Sequence, residues 1–433
     1  MRLGFTHFLL VCAFASLAEA QTPIWRLLPN SPPQPSVARH DDVYFVSPSR
    51  GWVVNGAGKI YRTTNGGASW ETQLSLSSTY IRSVAFADSL HGWAGTLVQA
   101  RLLYATTDGG LNWNQVLNIP NPLPTGICGL WTVEDSVVYG SGKYSGPASV
   151  IKSTDLGATW TTLDMSAYAS ALVDCYFFTR DSGFVIGARG PGALTTDSLV
   201  VLATTDGGQS WSTRFLGTRA GELGWKIVFP TPSTGYVSIE AFTGTSRYLL
   251  KTTDRGWSWI EEQFIDEYDA QGIGFATETK GWIGGWTGST YETTDGGWSW
   301  HSAVVGSLIN SFHMLSDTLG YAVGRRVYKF SCDSTTEAVQ APFTLPGQTT
   351  LEQNYPNPFN PETHFRFRLG IVGIVSLRVY DILGRVVAEV MREAKPAGSY
   401  DIPWDASGLT SGVYYYRLRV GDFDMTRKLV LVR

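Results

Sequence analysis

An eight-residue pattern, (Ser/Thr)-Thr-(Asp/Asn)-x-Gly-x-(Ser/Thr/Asn)-Trp, recurs six times along this 433-residue chain. The copies are Thr63–Trp70, Thr106–Trp113, Ser153–Trp160, Thr204–Trp211, Thr252–Trp259 and Thr293–Trp300. Their tryptophans stand 43, 47, 51, 48 and 41 residues apart. Asp-Gly or Asn-Gly between strand-like segments calls for a tight turn with positive φ. The side-chain oxygen of Asn65, Asp108, Asp155, Asp206, Asp254 and Asp295 can accept backbone N–H bonds inside that turn. The shared glycine frees the backbone, and the tryptophan opens the next strand. A period of about 40–50 residues with strands between turns points to propeller blades, each unable to bury its own faces alone.

A second pattern, Gly-aromatic-x-x-Gly or a relative, precedes most copies: Gly51-Trp52, Gly92-Trp93, Gly183-Phe184, Gly235-Tyr236 and Gly281-Trp282. The third unit departs, with Val138-Tyr139-Gly140. Upstream of each runs a strand such as Ile81–Phe86, so a unit reads strand, turn, strand, turn, strand, box, strand. A seventh unit at 311–330 lacks the box and the last strand. Ile24–Leu28 resembles the segment after a box, with Trp25 in the closing position. The expected fold is all-β: a seven-bladed β-propeller, its last blade closed by the N-terminal strand, plus a small C-terminal β-sandwich. Six or eight blades are the alternatives if a degenerate unit is miscounted.

Charged residues make up 16% of the chain, below the usual quarter, and the formal charge is −4. That balance offers no electrostatic footprint for nucleic acid. Residues 1–20 read as a signal peptide: Arg2, an apolar run from Phe8 to Leu17, and the cleavage signal Ala18-Glu19-Ala20. The apolar run is too short for a bilayer span, and no other stretch qualifies. The propeller is expected over 21–330, a linker over 331–349 and the sandwich over 350–433. Once Cys12 has left with the signal, Cys128, Cys175 and Cys332 remain, so at least one is unpaired. Anchored on Trp131 and Phe178, Cys128 and Cys175 align in neighbouring repeats. They form either a bridge between inner strands or two buried free thiols.

The C-terminal region alternates in strands at 365–369, 375–380, 386–390, 412–420 and 424–432, with prolines at 356, 358 and 361 excluding helix. Its Asn354-Tyr355-Pro356-Asn357-Pro358-Phe359-Asn360-Pro361, Val379–Arg385 (with Gly384-Arg385), Ser411–Tyr414 and Thr426–Val432 (with Lys428) closely resemble the type A sorting domain of the type IX secretion system of Bacteroidetes. The resemblance implies Sec-dependent passage, then outer-membrane translocation by the type IX machinery, and a final place outside or on the cell surface. The repeats at 24–330 resemble the Asp-box, sialidase-type group, nearest to the photosystem II assembly-factor-like propellers. That resemblance implies a fold and leaves the activity open.

No catalytic or metal constellation emerges, and no cofactor is expected. Ile24-Trp25-Arg26-Leu27 does not match the Phe-Arg-Ile-Pro-like start of sialidases. No His-x-x-x-His or Cys–His metal spacing occurs, nor a Gly-x-Ser-x-Gly elbow. The acidic clusters Asp41-Asp42, Glu261-Glu262 and Asp266-Glu267-Asp269 are expected on solvated loops. Two consecutive boxes carry Trp257 and Trp298 two places before the closing Trp, with Trp286 nearby. These either stack on sugars or a partner, or pack between blades. Arg39, Arg82, Trp225 and Lys226 are expected at the mouth of the central channel, where loops converge. The expected function is a secreted or surface-displayed, non-enzymatic propeller that binds protein or glycan. A sialidase-like glycoside hydrolase and an envelope-complex assembly factor are the alternatives.

Overall fold

The computed structural model describes residues 22–33, 35, 39–243, 248–263, 270–285, 290–332, 349–369, 373–395, 398–420 and 423–432. The signal-peptide reading and Trp286, Asp266, Glu267 and Asp269 lie outside them. The chain divides into two compact units, Met1–Asp333 and Ser334–Arg433.

In the first unit the described strands form seven four-stranded antiparallel sheets. The first sheet shows the plan: His40–Phe45, Gly51–Asn55, Lys59–Thr63 and Glu71–Ser75 pair in chain order. Burial falls from the first two strands, almost wholly buried, to the exposed fourth. The remaining sheets begin with Ile81–Phe86, Gly129–Val133, Ala171–Phe177, Glu222–Val228, Ala270–Phe275 and Ser311–Met314. The sheet beginning at Ser311 takes its fourth strand from the other end of the unit. Ile24–Leu27 pairs antiparallel with Val327–Ser331, with Trp25 opposite Phe330.

Neighbouring sheets are joined by aromatic stacks whose logic explains the Gly-aromatic pattern. Trp52 of the first sheet stacks on Phe86 of the second at 3.6 Å, and Tyr139 of the third on Phe177 of the fourth at 3.5 Å. Tyr236 stacks on Phe275 at 4.3 Å, and Tyr321 of the seventh sheet on Phe45 of the first at 3.5 Å. The closing tryptophans meet these rings edge-on: Trp70 at Phe45, Trp113 at Phe86 and Trp300 at Phe275. Such pairs add about 0.5–1.5 kcal/mol each beyond area burial. The preceding glycine hosts the phenylalanine of its own sheet. A Cβ on Gly51 would stand 2.4 Å from Phe45, and one on Gly92 2.3 Å from Phe86.

The boxes repeat one hydrogen-bond scheme. The first residue's hydroxyl donates to the Asp or Asn Oδ1 at 2.8–2.9 Å and accepts the second glycine's N–H at 2.8–2.9 Å. The same Oδ1 accepts the N–H of the residue before the closing Trp at 2.8–3.0 Å. Both turn residues have positive φ, and where the first glycine is replaced, Leu156 and Arg255 still hold 56° and 64°. The box also caps its neighbour: the Tyr236 hydroxyl and Lys251 Nζ donate to Gly296 O at 2.6 and 2.8 Å.

The second unit contains two sheets around one core. One orders Val386–Lys395, Gly373–Tyr380, Gly412–Val420 and Phe423–Leu431; the other orders Thr350–Leu351, Glu362–Leu369 and Gly398–Asp405. The strand Gly398–Asp405 was not expected from the sequence. It pairs on one side only, with Glu362–Leu369, so Pro403 is tolerated at a sheet edge. Phe359 is buried and its backbone pairs with the last strand through Val430 O and Val432 N, both at 3.0 Å. Asn357 Oδ1 accepts the Val430 N–H at 2.8 Å. Asn360 and Pro361 lead into Glu362–Leu369, and Pro361 O accepts the Ala406 N–H at 3.0 Å. Gly384, at φ 75°, and Arg385 form an exposed turn held by Asp381, whereas Lys428 lies exposed on the last strand.

Candidate functional site

Five of the seven innermost strands carry a β-bulge at one equivalent place. The ladder skips Asp41, Arg82, Val173, Trp225 and Gln271. A bulged residue leaves the pleat and its side chain is re-aimed. Cys128 and Asn310 occupy the same place in the other two units, just ahead of Gly129 and Ser311. All seven residues are between 0% and 6% exposed.

Their contacts cross between sheets that are not sequence neighbours, which puts them on the common channel of the propeller. The Arg82 guanidinium of the second sheet lies 5.0 Å over the Trp225 ring of the fifth. Arg39 Nη1 donates to Gln271 Oε1, its Nη2 to Asn310 Oδ1 at 2.7 Å, and its Nε to Asp41 Oδ1 at 3.2 Å. Trp225 Nε1 donates to the same Asn310 Oδ1 at 2.8 Å, and Asn310 Nδ2 donates to Asp41 O at 2.6 Å. The channel is therefore plugged by a hydrogen-bonded layer. Burial lowers the Arg39 pKa against the pull of Asp41. Burial also acts to lower that of Arg82, but Asp41, Cys128 and Tyr80 outweigh it and the net shift is upward.

Beyond the plug, toward the C-terminal ends of the first strands, lies a partly open cavity of about 320 Å³. Asp42, Asp174 and Lys226 line it, with half-buried Tyr44, Trp131 and Tyr176 among its aromatic walls. Trp131 and Tyr176 stand 4.4 Å apart, and Tyr176 and Phe229 4.9 Å. The polar groups are occupied. Asp42 accepts the Val84 N–H at 3.0 Å and the Ser311 hydroxyl at 2.7 Å. Asp174 accepts the Ile227 N–H at 3.1 Å and faces Lys226 Nζ at 3.7 Å. Burial raises the Asp174 pKa, with Lys226 opposing. Burial lowers the His313 pKa, and its Nε2 donates to Phe45 O at 3.0 Å.

The structure thus brings Arg39, Arg82 and Trp225 together, but as a buried plug. Lys226 points into the cavity. Asp41 and Asp42 are not on a solvated loop: the first inner strand buries both, at 0% and 8% exposure. Glu261 lies on an outer strand, paired with Arg219 at 2.9 Å. Trp257 and Trp298 are exposed, each under a cation of the preceding sheet: Arg214 at 4.2 Å and Lys251 at 4.2 Å. Cys128 and Cys175 are free and buried. The bulge at Val173 puts Cys128 in the plug but Cys175 two places further along its strand, opposite Val185. The cavity walls were missed in the sequence. Their signal was the aromatic one place before the strand-end phenylalanine, as in Tyr44-Phe45 and Tyr176-Phe177. Among the described residues no group of three His, Cys, Asp or Glu side chains could hold a metal ion, and no helix is long and apolar enough to cross a membrane.

Residues 353–432 match the family of secretion system C-terminal sorting domains, and residues 33–135 match the photosynthesis system II assembly factor YCF48 family. A solved structure of YCF48 bound to D1 peptide aligns with a TM-score of 0.56 at 16% identity, covering 71% of this chain and 97% of that one. YCF48 from Cyanidioschyzon merolae gives 0.53 at 17% identity, covering 71% and 98%. The GH74 xyloglucanase from Xanthomonas campestris gives 0.50 at 12% identity, covering 93% and 66%. At such identities the likeness shows the fold alone. No curated protein matches the chain. The sorting-domain match implies engagement with the secretion machinery and export to the cell surface or the medium. The chain therefore joins a β-propeller similar to the YCF48 assembly factor to a C-terminal domain similar to those that direct type IX secretion.

Proposed function

We propose that this chain is a secreted or surface-displayed, non-catalytic binding protein. Its first unit is a seven-bladed propeller whose last blade is completed by residues 24–27, and the aromatic cavity is its binding site. Export begins with a Sec-dependent step directed by residues 1–20. The ligand is a protein segment or a glycan that inserts a ring or apolar group between Trp131, Tyr176 and Tyr44. The observation that carries the reading is the cavity's chemistry: aromatic walls, with both carboxylates tied to backbone or cation. Glycoside hydrolysis needs two carboxyl groups about 5–10 Å apart and turned to substrate, and these two serve the fold instead. That YCF48 has been solved with a peptide supports a protein segment as the ligand class.

The test is a peptide and glycan array probed with the signal-free chain, beside a panel of chromogenic glycosides. Binding that falls at least about tenfold in Trp131→Ala and Tyr176→Ala variants of unchanged stability supports the reading. Glycoside turnover that survives purification and depends on Asp42 or Asp174 overturns it.

A further inference from the structure

The turns that follow the first strands of the first two sheets, residues 46–50 and 87–91, flank a second cleft, of about 400 Å³. Tyr44 lines this cleft and the aromatic cavity alike, so one half-buried side chain divides them. Its hydroxyl lies 3.4 Å from Thr132 Oγ1 of the third sheet, which holds the ring as a sill between the two hollows. Cavity and cleft thus form one groove that runs outward between the first and second sheets. Its ends differ in chemistry. The inner end is walled by Trp131, Tyr176 and Phe229, and the outer end carries serine hydroxyls and two charges, Arg50 and Asp88.

Those two charges balance formally but are not equally available. Asp88 Oδ1 accepts the Leu90 and His91 N–H groups at 2.6 and 2.7 Å, and its Oδ2 lies 2.8 Å from His91 Nδ1, so the carboxylate serves its own turn. Arg50 has no carboxylate partner among the described residues, and its one side-chain hydrogen bond runs from Nη1 to Ser89 O at 3.5 Å, the limit of reach. Its forked donors match a carboxylate. We propose, on the reading that the aromatic cavity is the binding site, that the ligand is an extended protein segment lying across Tyr44, with an aromatic or large apolar side chain in the cavity and an Asp or Glu carboxylate on Arg50. Side chains two places apart on an extended chain point the same way, and two residues advance about 6–7 Å, enough to step over one ring. The recognised pair is therefore a ring and an acid at positions i and i+2, in either order.

An array of short peptides, each with one Trp and one Glu at stepped separations, tests this with the chain lacking residues 1–20. Binding should peak when the two stand two places apart, and fall at least about tenfold in Arg50→Gln. Arg50→Glu should turn the preference at the acid's place toward Lys. Binding indifferent to the separation overturns the proposal with the wild-type chain alone, whether or not the variants fold. Binding that needs Trp131 but is unchanged in Arg50→Gln overturns it too, and leaves the cavity as a binding site. Oligogalacturonate bound through Arg50 in place of peptides overturns the protein segment, and an array without any bound peptide or glycan overturns groove and cavity together.

Discussion

Tyr321 lies flat against Phe45, with ring centroids 3.5 Å apart and planes within 3°. The two residues are separated by most of the first unit, yet they meet as neighbouring sheets do elsewhere. The Tyr321 hydroxyl also donates to Pro48 O and Gly66 O, each at 3.2 Å. Tyr321→Ala should cost about 3–5 kcal/mol, and Tyr321→Phe about 1 kcal/mol through the lost hydrogen bonds. Urea unfolding of the chain without residues 1–20 measures both; equal losses in the two variants would contradict the stacking account.

The box aspartates set an acid limit. Hydrogen bonds from Asn112, Ser210 and Ser299 hold Asp108, Asp206 and Asp295 at about 2, below the ordinary value near ~3.9. A depressed folded-state pKa contributes stability that is complete above the unfolded value and lost as pH falls through the folded one. Melting temperature should therefore hold down to about pH 4 and drop between about 4 and 2. Asn65 already serves the first box with the same Oδ1 bonds. Asp206→Asn should thus fold and lose its share of the acid sensitivity, read by melting at stepped pH.

Backbone conformation divides the boxes into two kinds. Gly110 sits at φ 85°, and a Cβ there would stand 2.5 Å from the Trp52 indole nitrogen. Gly110→Ala should cost more than about 2 kcal/mol, from left-handed strain plus the clash. Arg255 holds φ 64° in the place where four of the other five boxes have glycine. Arg255→Gly should be neutral or stabilising by up to about 1 kcal/mol. Parallel denaturation curves decide, and a destabilised Arg255→Gly would mean that its stacking on Phe178 at 4.3 Å outweighs the strain.

Trp257 and Trp298 are both more than 60% exposed, at 63% and 67%. Replacing both with Ala should change stability by no more than about 1 kcal/mol. If glycan or partner binding disappears while stability holds, these rings join the binding surface; unchanged binding leaves them as covers for Arg214 and Lys251.

In the second unit, Phe359→Ala removes a 3%-exposed ring that packs beside Trp404, centroids 6.0 Å apart. The loss should be about 3–5 kcal/mol in that unit, with the full-length chain retained in the cell envelope. Fractionation and immunoblotting measure this.

The boxes and the Gly-aromatic pairs were legible because each encodes a local backbone demand: positive φ in one, space for a phenylalanine in the other. The plug was only half legible. Arg39, Arg82 and Trp225 could be placed near the channel, but a bulge leaves no mark in residue type, so their burial and the placement of Asp41 could not be read. The same inserted residue shifted the alignment of Cys175 against Cys128. Asp41-Asp42 looked like a loop because charge pairs usually are solvated, whereas here Arg39 pairs with Asp41 Oδ1, and the Val84 N–H and the Ser311 hydroxyl satisfy Asp42. Gly398–Asp405 was hidden by Pro403, which only an edge position accommodates.

Because Ile24–Leu27 pairs with Val327–Ser331, the two ends of the repeat region act as halves of a clasp. A chain delivered from its N-terminus must keep the first half waiting until some 300 residues have followed, a long-range closure of the slow kind. Any product cut short before residue 327 carries an unsealed seam with bare strand edges, open to pairing with other chains. Quality control during export thus has a physical signal to read: a molecule that has fastened itself carries its whole repeat region.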